Sequence, residues 1–366
     1  MRRARAAARL LHGWEHGFPQ GPGLVMRALA GGYHGLLGAR EWLYERRVLA
    51  SRALPCPVVS IGNLTVGGTG KTPAVELAVR TLADLGRRPA VVSRGYRRRS
   101  SGVQIVADTA SIRLDPEDAG DEPFLLARRL PGVPVVVGSH RYDAARVAVD
   151  RFGATAIVLD DGFQHRTLHK DLEVVMVRAE RPWGNGGLLP SGPLREPLAA
   201  LARAHLVVAT GFAAPLDLGP VSATVARHAP GVPVLAARYA AVECWEASRM
   251  RTVPLKQLSG QRLLGFAGIA SPDAFRATLQ TLGVDASDLV TFADHHWYTA
   301  ADVSALNAQA EKLGAAHGLV TTEKDWVRLR TLPLPVCPLY VVSVRLEFIA
   351  GEDQWRRGFE DACRTP

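Results

Sequence analysis

Residues 65–72 read TVGGTGKT, and glycines at this spacing before a Lys-Thr pair suit the binding of phosphate groups. Glycines let successive backbone N–H groups turn toward an anion, and a helix opening at the same point adds its partial positive charge. Lys71 would reach the β and γ phosphates of a nucleotide, and the Thr72 hydroxyl would ligate Mg2+. The candidate nucleotide-binding residues are therefore Thr65, Val66, Gly67, Gly68, Thr69, Gly70, Lys71 and Thr72. Thr65 departs from the G-x-x-x-x-G-K-[ST] pattern, but it opens the loop and need not approach phosphate closely.

A phosphate loop of this kind needs a second metal anchor, usually an Asp at the end of a neighbouring apolar strand. The stretch ATAIVLDDGFQH supplies it, with Asp160 and Asp161 following Ile157, Val158 and Leu159. Two adjacent carboxylates repel one another unless a cation sits close, and a metal relieves that cost. The bland alternative is a pair of solvated turn acids before Gly162. Two further clusters carry chemistry-bearing types. In AGDEPFLLARR, Asp121 and Glu122 precede a proline and a helical pattern, where acids also favour a helix start. In FADHHWYT, His295 and His296 follow Asp294. From residue types alone, each of these is as readily structural as chemical.

The elements that must position these residues are legible in outline. PVVSI, PAVVS, VPVVVG, ATAIVLDD, LEVVMV and HLVVAT are strand candidates, and helical patterns alternate with them from residue 57 onward, the signal for βαβ units and a parallel sheet. KTPAVELAVRTLADLG and SHRYDAARVAVDRFG read as helices ending at Gly86 and Gly153, each suited to the left-handed C-terminal position. Scattered prolines and two strand-like pieces, VPVLAARY and VECWEA, suggest a hinge over 212–256. A second α/β stretch then begins near residue 261 and includes a helix from about Ala300 to Leu313.

The chain has 366 residues, 47% hydrophobic and 22% charged, which fits two globular domains and excludes a disordered or collagen-like chain. Its four cysteines, Cys56, Cys244, Cys337 and Cys363, form no C-x-x-C pair, so neither a zinc knuckle nor a disulfide framework is suggested and a reducing cytosol is the expectation. Net charge is +9, and the first 50 residues hold eight Arg against three Glu. Arg5 and Arg9 interrupt the opening, which lacks the apolar core of a signal peptide. No apolar run approaches the ~20 residues that span a bilayer. Residues 24–50 instead mix Leu, Met, Val, Trp and Tyr with Arg, as suits either a membrane interface or a helix packed on the protein's own core. The basic segment carries no nucleic-acid-binding pattern.

Taken together, GNLTVGGTGKTP, SRGY, GDEP, VGSHR, LDDGFQHR, GNGGLLPSGPLREP, GFAGIASPDAF, FADHH and TTEKD, in order from about residue 58 to 325, resemble the tetraacyldisaccharide 4'-kinase family of lipid A biosynthesis. That family also carries Thr or Ser at the place of Thr65. The resemblance implies an α/β fold: a P-loop NTPase-like parallel sheet domain and a smaller second α/β domain, joined by a short β connection with the active site between them. The corresponding division is an N-terminal basic membrane-associating segment (1–50), a P-loop kinase domain (51–215), a β hinge (216–256) and a C-terminal α/β domain (257–366). It implies transfer of the γ-phosphoryl of ATP, with Mg2+, to the 4'-hydroxyl of an acylated glucosamine disaccharide 1-phosphate. The expected setting is the cytoplasmic face of the bacterial inner membrane, with the protein peripheral and monomeric.

The resemblance also implies roles. Asp121 of GDEP is expected as the general base, assisted by His295 of DHH, with His296 as the alternative, and Lys71 completes the catalytic set. Glu122 joins Thr72, Asp160 and Asp161 on the metal side. Arg141, His165, Arg195 and Glu196 carry over to the nucleotide and metal side, while Arg94 and the run Arg97 to Arg99 are candidates for an anionic group such as the 1-phosphate. TTEKD is similar to the N-K-x-D base-reading loop of GTPases, but Glu323 stands in place of Asn, so adenine is expected, not guanine. Two rival readings stand beside this one. A regulatory or metal-delivery NTPase would carry an intermolecular Lys where Val66 stands, and a noncatalytic membrane module would have no use for Asp121, Asp160, Asp161 and His295 together.

Overall fold

Apolar β-branched runs set the centre of the molecule. In a computed structural model that describes residues 13–14, 23–211, 216–285, 288–312 and 318–364, the six expected strands form: β1 (Val58–Gly62), β2 (Pro89–Ser93), β4 (Val135–Val137), β5 (Ala156–Asp160), β6 (Leu172–Arg178) and β7 (Leu206–Gly211). Residues 1–12 and 15–22 of the basic opening segment, and Leu313 at the expected end of one helix, lie outside the described residues. β1, β2 and β5 are buried along their whole length, the pattern of parallel strands covered on both faces. Alternation divides β1 between two layers. Val59 and Ile61 pack with Ala74, Val75 and Ala78 of helix α2 (Lys71–Asp84), and Val58 packs with Ala144, Ala145 and Ala148 of helix α5 (Arg141–Phe152). Gly153 closes α5 in the left-handed conformation (φ 62°), and Gly86 follows α2 at φ 75°.

The remaining strands are β3 (Gln104–Ala107), β8 (Val234–Glu246), β9 (Arg251–Val253), β10 (Leu264–Ala267), β11 (Val290–Thr291), β12 (Leu319–Thr322) and β13 (Leu339–Ala350). All belong to one sheet, ordered β11-β10-β12-β13-β8-β7-β6-β1-β5-β2-β4-β3, with β9 on β8. Two parallel runs meet at the antiparallel β8–β13 pair, and β3 adds an antiparallel edge strand. The two pieces expected as a hinge are thus one strand. Arg238 to Glu243, at its middle, is only partly covered, which breaks the apolar pattern that would have marked it as continuous.

Two segments cross the division read from the sequence. Helix α6 (Gly219–His228) and the start of β8 continue the first run of strands, since Val234 to Arg238 pair in parallel with β7. The last helix, α10 (Glu352–Arg364), returns to the first half, where Trp355 Nε1 donates to Thr81 Oγ1 at 2.9 Å and Arg87 donates to the Cys363 carbonyl at 2.6 Å. The chain also forms helices α1 (Leu24–Glu45), α3 (Pro116–Ala119), α4 (Asp121–Arg129), α7 (Pro272–Thr281), α8 (Ala300–Lys312) and α9 (Glu323–Leu329). Among the described residues no helix is long and apolar enough to cross a membrane.

Candidate active site

The strand order reverses direction around β1, which lies between β5 and β6, so the loops leaving the carboxyl ends of β1 and β5 part to opposite sides and leave a crevice. Residues 66–72 occupy that crevice. Gly70 caps α2 at φ 79°, and a Cβ there would fall 1.7 Å from the Tyr239 hydroxyl, so both the backbone angle and the space require glycine. Tyr239 OH donates to Thr210 Oγ1 at 3.1 Å. Gly68 faces the second half of the sheet, where an added Cβ would lie 3.0 Å from the Ala270 methyl.

The GNGGLLPSGPLREP segment fastens to the root of this loop. Val66 N–H donates to the Pro193 carbonyl at 2.9 Å, Arg195 N–H donates to the Leu64 carbonyl at 2.8 Å, and Thr65 pairs with Leu194. That clasp brings the Arg195 guanidinium onto both carboxylate oxygens of Asp161, at 3.0 and 2.8 Å. Lys71 Nζ lies 3.5 Å from the same carboxylate. Asp161 has φ 54°, a left-handed turn residue that re-aims its side chain just past the strand. Burial acts against its charge, yet Lys71 and Arg195 hold its pKa below the ordinary carboxylate value.

Asp160 behaves oppositely. It is 3% exposed and accepts from Ser93 Oγ at 2.8 Å. Burial, then the neighbouring charges of Glu122 and Asp161, push its pKa up to about 7. Carboxylates that crowd until one resists ionising make a seat for added positive charge. Thr72 and these acids form an all-oxygen donor set of the kind hard cations take, so the residues fit Mg2+. Among the described residues no three His, Cys or acidic side chains converge closely enough to hold a metal by themselves.

Across the crevice, His295 Nδ1 lies 2.8 Å from Asp121 Oδ2. Asp121 opens α4 and is 5% exposed, while His295 sits at φ 59° in the turn after β11. Burial works to raise the Asp121 pKa, but the His295 hydrogen bond, Lys324 and Arg328 together hold it well below the usual carboxylate range. Arg328 Nε is 3.7 Å from Asp121 Oδ2, and its Nη2 donates to Asp325 at 3.0 Å. His296 turns away, pairing with Asp302 at 3.2 Å and stacking on Phe292 with ring centroids 4.8 Å apart.

The TTEKD segment joins the two halves here. Lys324 Nζ donates to Glu122 Oε1 at 2.6 Å, and Arg129 Nε donates to Glu323 Oε2 at 2.6 Å while Arg129 Nη1 reaches Glu76 at 3.0 Å. Burial disfavours the Lys324 charge, but Glu122, Asp121 and Asp294 raise its pKa above the ordinary lysine value. Asp325 is fully buried and accepts from Gly268 N–H and Tyr298 OH, both at 2.8 Å. The similarity to a base-reading loop is therefore one of sequence: Glu323 and Lys324 are engaged in joining α4 to the second half, and Asp325 in holding turns of the second half together.

A cavity of about 930 Å3 unites these groups. Its lining takes in Val66 to Thr72, Arg94, Glu122, Arg141, Asp160, Asp161, His165, Arg195, Glu196 and His295. Thr65 and Asp121 are not part of that lining: the former is held in its bridge to Leu194, and the latter contacts His295 Nδ1. Burial, then Arg141, push the His165 pKa down to about 4, so the ring is neutral near pH 7. Of the arginine run, Arg97 lines the cavity and covers the Tyr96 ring at 5.4 Å, whereas Arg98 hydrogen-bonds Ser100 within its own loop. The sequence reading assigned no role to Lys324, Arg328 or Tyr96, whose ring lies 5.6 Å from that of His295. Lys324 and Tyr96 stand inside segments already singled out, TTEKD and SRGY, and only the fold reveals their partners.

Known proteins resemble this chain over most of its length. The LpxK family, tetraacyldisaccharide-1-P 4'-kinase, matches residues 23–364. A tetraacyldisaccharide 4'-kinase of Syntrophus aciditrophicus is 42% identical over 317 residues, 82% of this chain and 84% of the relative. One of Anaeromyxobacter dehalogenans is 44% identical over 318 residues, 86% of this chain and 83% of the relative. The crystal structure of LpxK from Aquifex aeolicus in complex with ATP superposes with a TM-score of 0.71 at 28% identity, covering 92% of this chain and 98% of that one. The chain belongs to the tetraacyldisaccharide-1-P 4'-kinase family.

Proposed function

We propose that the chain transfers the γ-phosphoryl of ATP to the 4'-hydroxyl of tetraacyldisaccharide 1-phosphate, a step of lipid A biosynthesis. The observation that carries this is a single cavity lined by both the phosphate loop, residues 66–72, and His295, which contacts Asp121 at 2.8 Å. A regulatory or metal-delivery NTPase is not favoured, given the family match over nearly the whole chain.

In this reading, backbone N–H groups of residues 67–72 and the opening of α2 hold the triphosphate, and Lys71 neutralises charge on the β and γ groups. Thr72, Asp160, Asp161 and Glu122 would hold Mg2+, which when bound neutralises charge developing on the phosphate oxygens. Arg195 keeps Asp161 ionised and aimed at that side. Arg94, Arg141, His165 and Glu196 line the remaining polar wall.

A sugar hydroxyl is a poor nucleophile near neutral pH and needs a positioned base. Asp121 takes that proton, with His295 orienting its carboxylate from 2.8 Å. Base assistance of this kind contributes ~10²–10⁴ in rate. The larger share comes from positioning and charge neutralisation. Helix α1 exposes Leu24, Val25, Leu29 and Leu36, an apolar surface suited to the headgroup boundary of the inner membrane's cytoplasmic leaflet, where a peripheral monomer would meet its acylated substrate.

Acceptor analogues test the assignment. The disaccharide 1-phosphate should take up one phosphate and its 4'-deoxy analogue none. ATP hydrolysis of equal rate with and without either lipid would instead mark an NTPase.

A further inference from the structure

Helix α1 touches the site at two points. Arg40 Nη2 donates to Glu196 Oε1 at 2.5 Å, and Tyr33 OH donates to the backbone carbonyl of Arg195 at 2.8 Å. Glu196 is 3% exposed, and its other oxygen accepts from Arg203 at 2.6 Å. Its immediate neighbour Arg195 holds both oxygens of Asp161, and Asp161 in turn lies 3.5 Å from Lys71. From α1 to the phosphate loop, the path runs through charged contacts on either side of the Arg195–Glu196 peptide bond.

From this we infer that Arg40 is a positioning residue for nucleotide binding: by holding Glu196 while Tyr33 holds the Arg195 carbonyl, it fixes the backbone from which Arg195 reaches Asp161 beside Lys71. A buried carboxylate tolerates its charge only while paired. With Arg40 removed, Glu196 keeps Arg203 at 2.6 Å and Gln164 Nε2 at 3.5 Å, and the 195–196 backbone loses one of its two ties to α1. Slack in that backbone carries over to Arg195 and its hold on Asp161. The apolar surface of α1 and the triphosphate site are then coupled through a helix that has no buried residue of its own. This inference rests on the reading of residues 66–72 as the ATP site.

The test is the affinity of a fluorescent ATP analogue with Mg2+ for the full chain in detergent, without acceptor, beside co-sedimentation with anionic phospholipid vesicles. Arg40→Ala should bind the analogue about tenfold more weakly, the loss of one charge-assisted contact, while vesicle binding is retained. Arg40→Lys should recover most of the affinity, and Tyr33→Phe, a milder change that keeps the aromatic packing, should lose about threefold. In turnover, the KM for ATP should rise while that for acceptor stays near the wild-type value. Unchanged analogue affinity in Arg40→Ala and Tyr33→Phe, with vesicle binding lost instead, would overturn the coupling and leave α1 a membrane anchor alone. Wild-type protein that binds no analogue would overturn the ATP-site reading itself, and the coupling with it.

Discussion

His295 Nδ1 and Asp121 Oδ2 lie 2.8 Å apart although 174 residues separate them in the chain. The contact crosses from the second half of the sheet to the first, so the base pair exists only while both halves hold their places. Arg328 and Lys324, both on α9, add positive charge around the Asp121 carboxylate. His295→Ala should lower turnover by ~10²-fold or more. His296→Ala should change it by less than about threefold, since His296 is committed to Asp302 and Phe292. Steady-state kinetics on the two variants decides. Equal losses would remove the distinction.

Asp160→Asn should separate stability from activity. The Asp160 carboxyl titrates near 7 in the folded protein against ~3.9 in an unfolded chain, so between about pH 4 and 7 the folded state binds more protons. Stability from this group is present at low pH, falls as pH rises through that window and stays lowered above it. Asn cannot ionise and can still accept from Ser93. Metal-free Asp160→Asn should therefore melt above wild type at pH 8, by the equivalent of a few kcal/mol at most, and close to wild type near pH 4. Its turnover should fall ~10²-fold or more if Asp160 holds Mg2+ as proposed. Parallel thermal melts at the two pH values check the sign.

Gly70→Ala should abolish nucleotide binding, and Tyr239→Phe should not restore it. An alanine Cβ would lie 1.7 Å from the Tyr239 hydroxyl but also 2.6 Å from ring carbon Cζ, so deleting the oxygen leaves a clash, and φ 79° stays unfavourable. Recovery of analogue binding in the Gly70→Ala, Tyr239→Phe double variant would show that the ring is not where the loop needs it.

Lys170 and Glu173 are 8% and 7% exposed, and Lys170 Nζ lies 2.7 Å from Glu173 Oε1. The same ammonium donates to the carbonyls of Gly162 and Phe163, the turn that follows Asp161. Lys170→Met strands a buried carboxylate and should cost about 3–5 kcal/mol in urea denaturation. Adding Glu173→Leu should return a large part of that loss. A single variant as stable as wild type would contradict a paired, buried role.

The sheet's first half was legible because its strands are continuous β-branched runs buried on both faces, and α2 and α5 because Gly86 and Gly153 mark their ends. β8 reads as two pieces because charged Arg238 and Glu243 bound a middle that is only partly covered, and the four-residue edge strand β3 is too short to declare itself. In the site, the phosphate loop and the Asp160–Asp161 pair are local patterns whose chemistry is visible in adjacent residues. The pairing of Asp121 with His295 came from family resemblance, because spacing carries no information on contacts between distant turns. For the same reason the Lys324–Glu122 bond, across 202 residues, and the approach of Tyr239 to Gly70 had no signal in the sequence.

The most direct measurement follows labelled phosphate from γ-labelled ATP into detergent-dispersed tetraacyldisaccharide 1-phosphate, by wild type and Asp121→Ala, with ATP affinity measured on both. Wild type should label the 4' position, and Asp121→Ala should bind ATP normally while transferring at least ~10²-fold more slowly. Equal transfer by the two proteins would contradict the base assignment, and no label in the lipid with wild type would contradict the kinase itself.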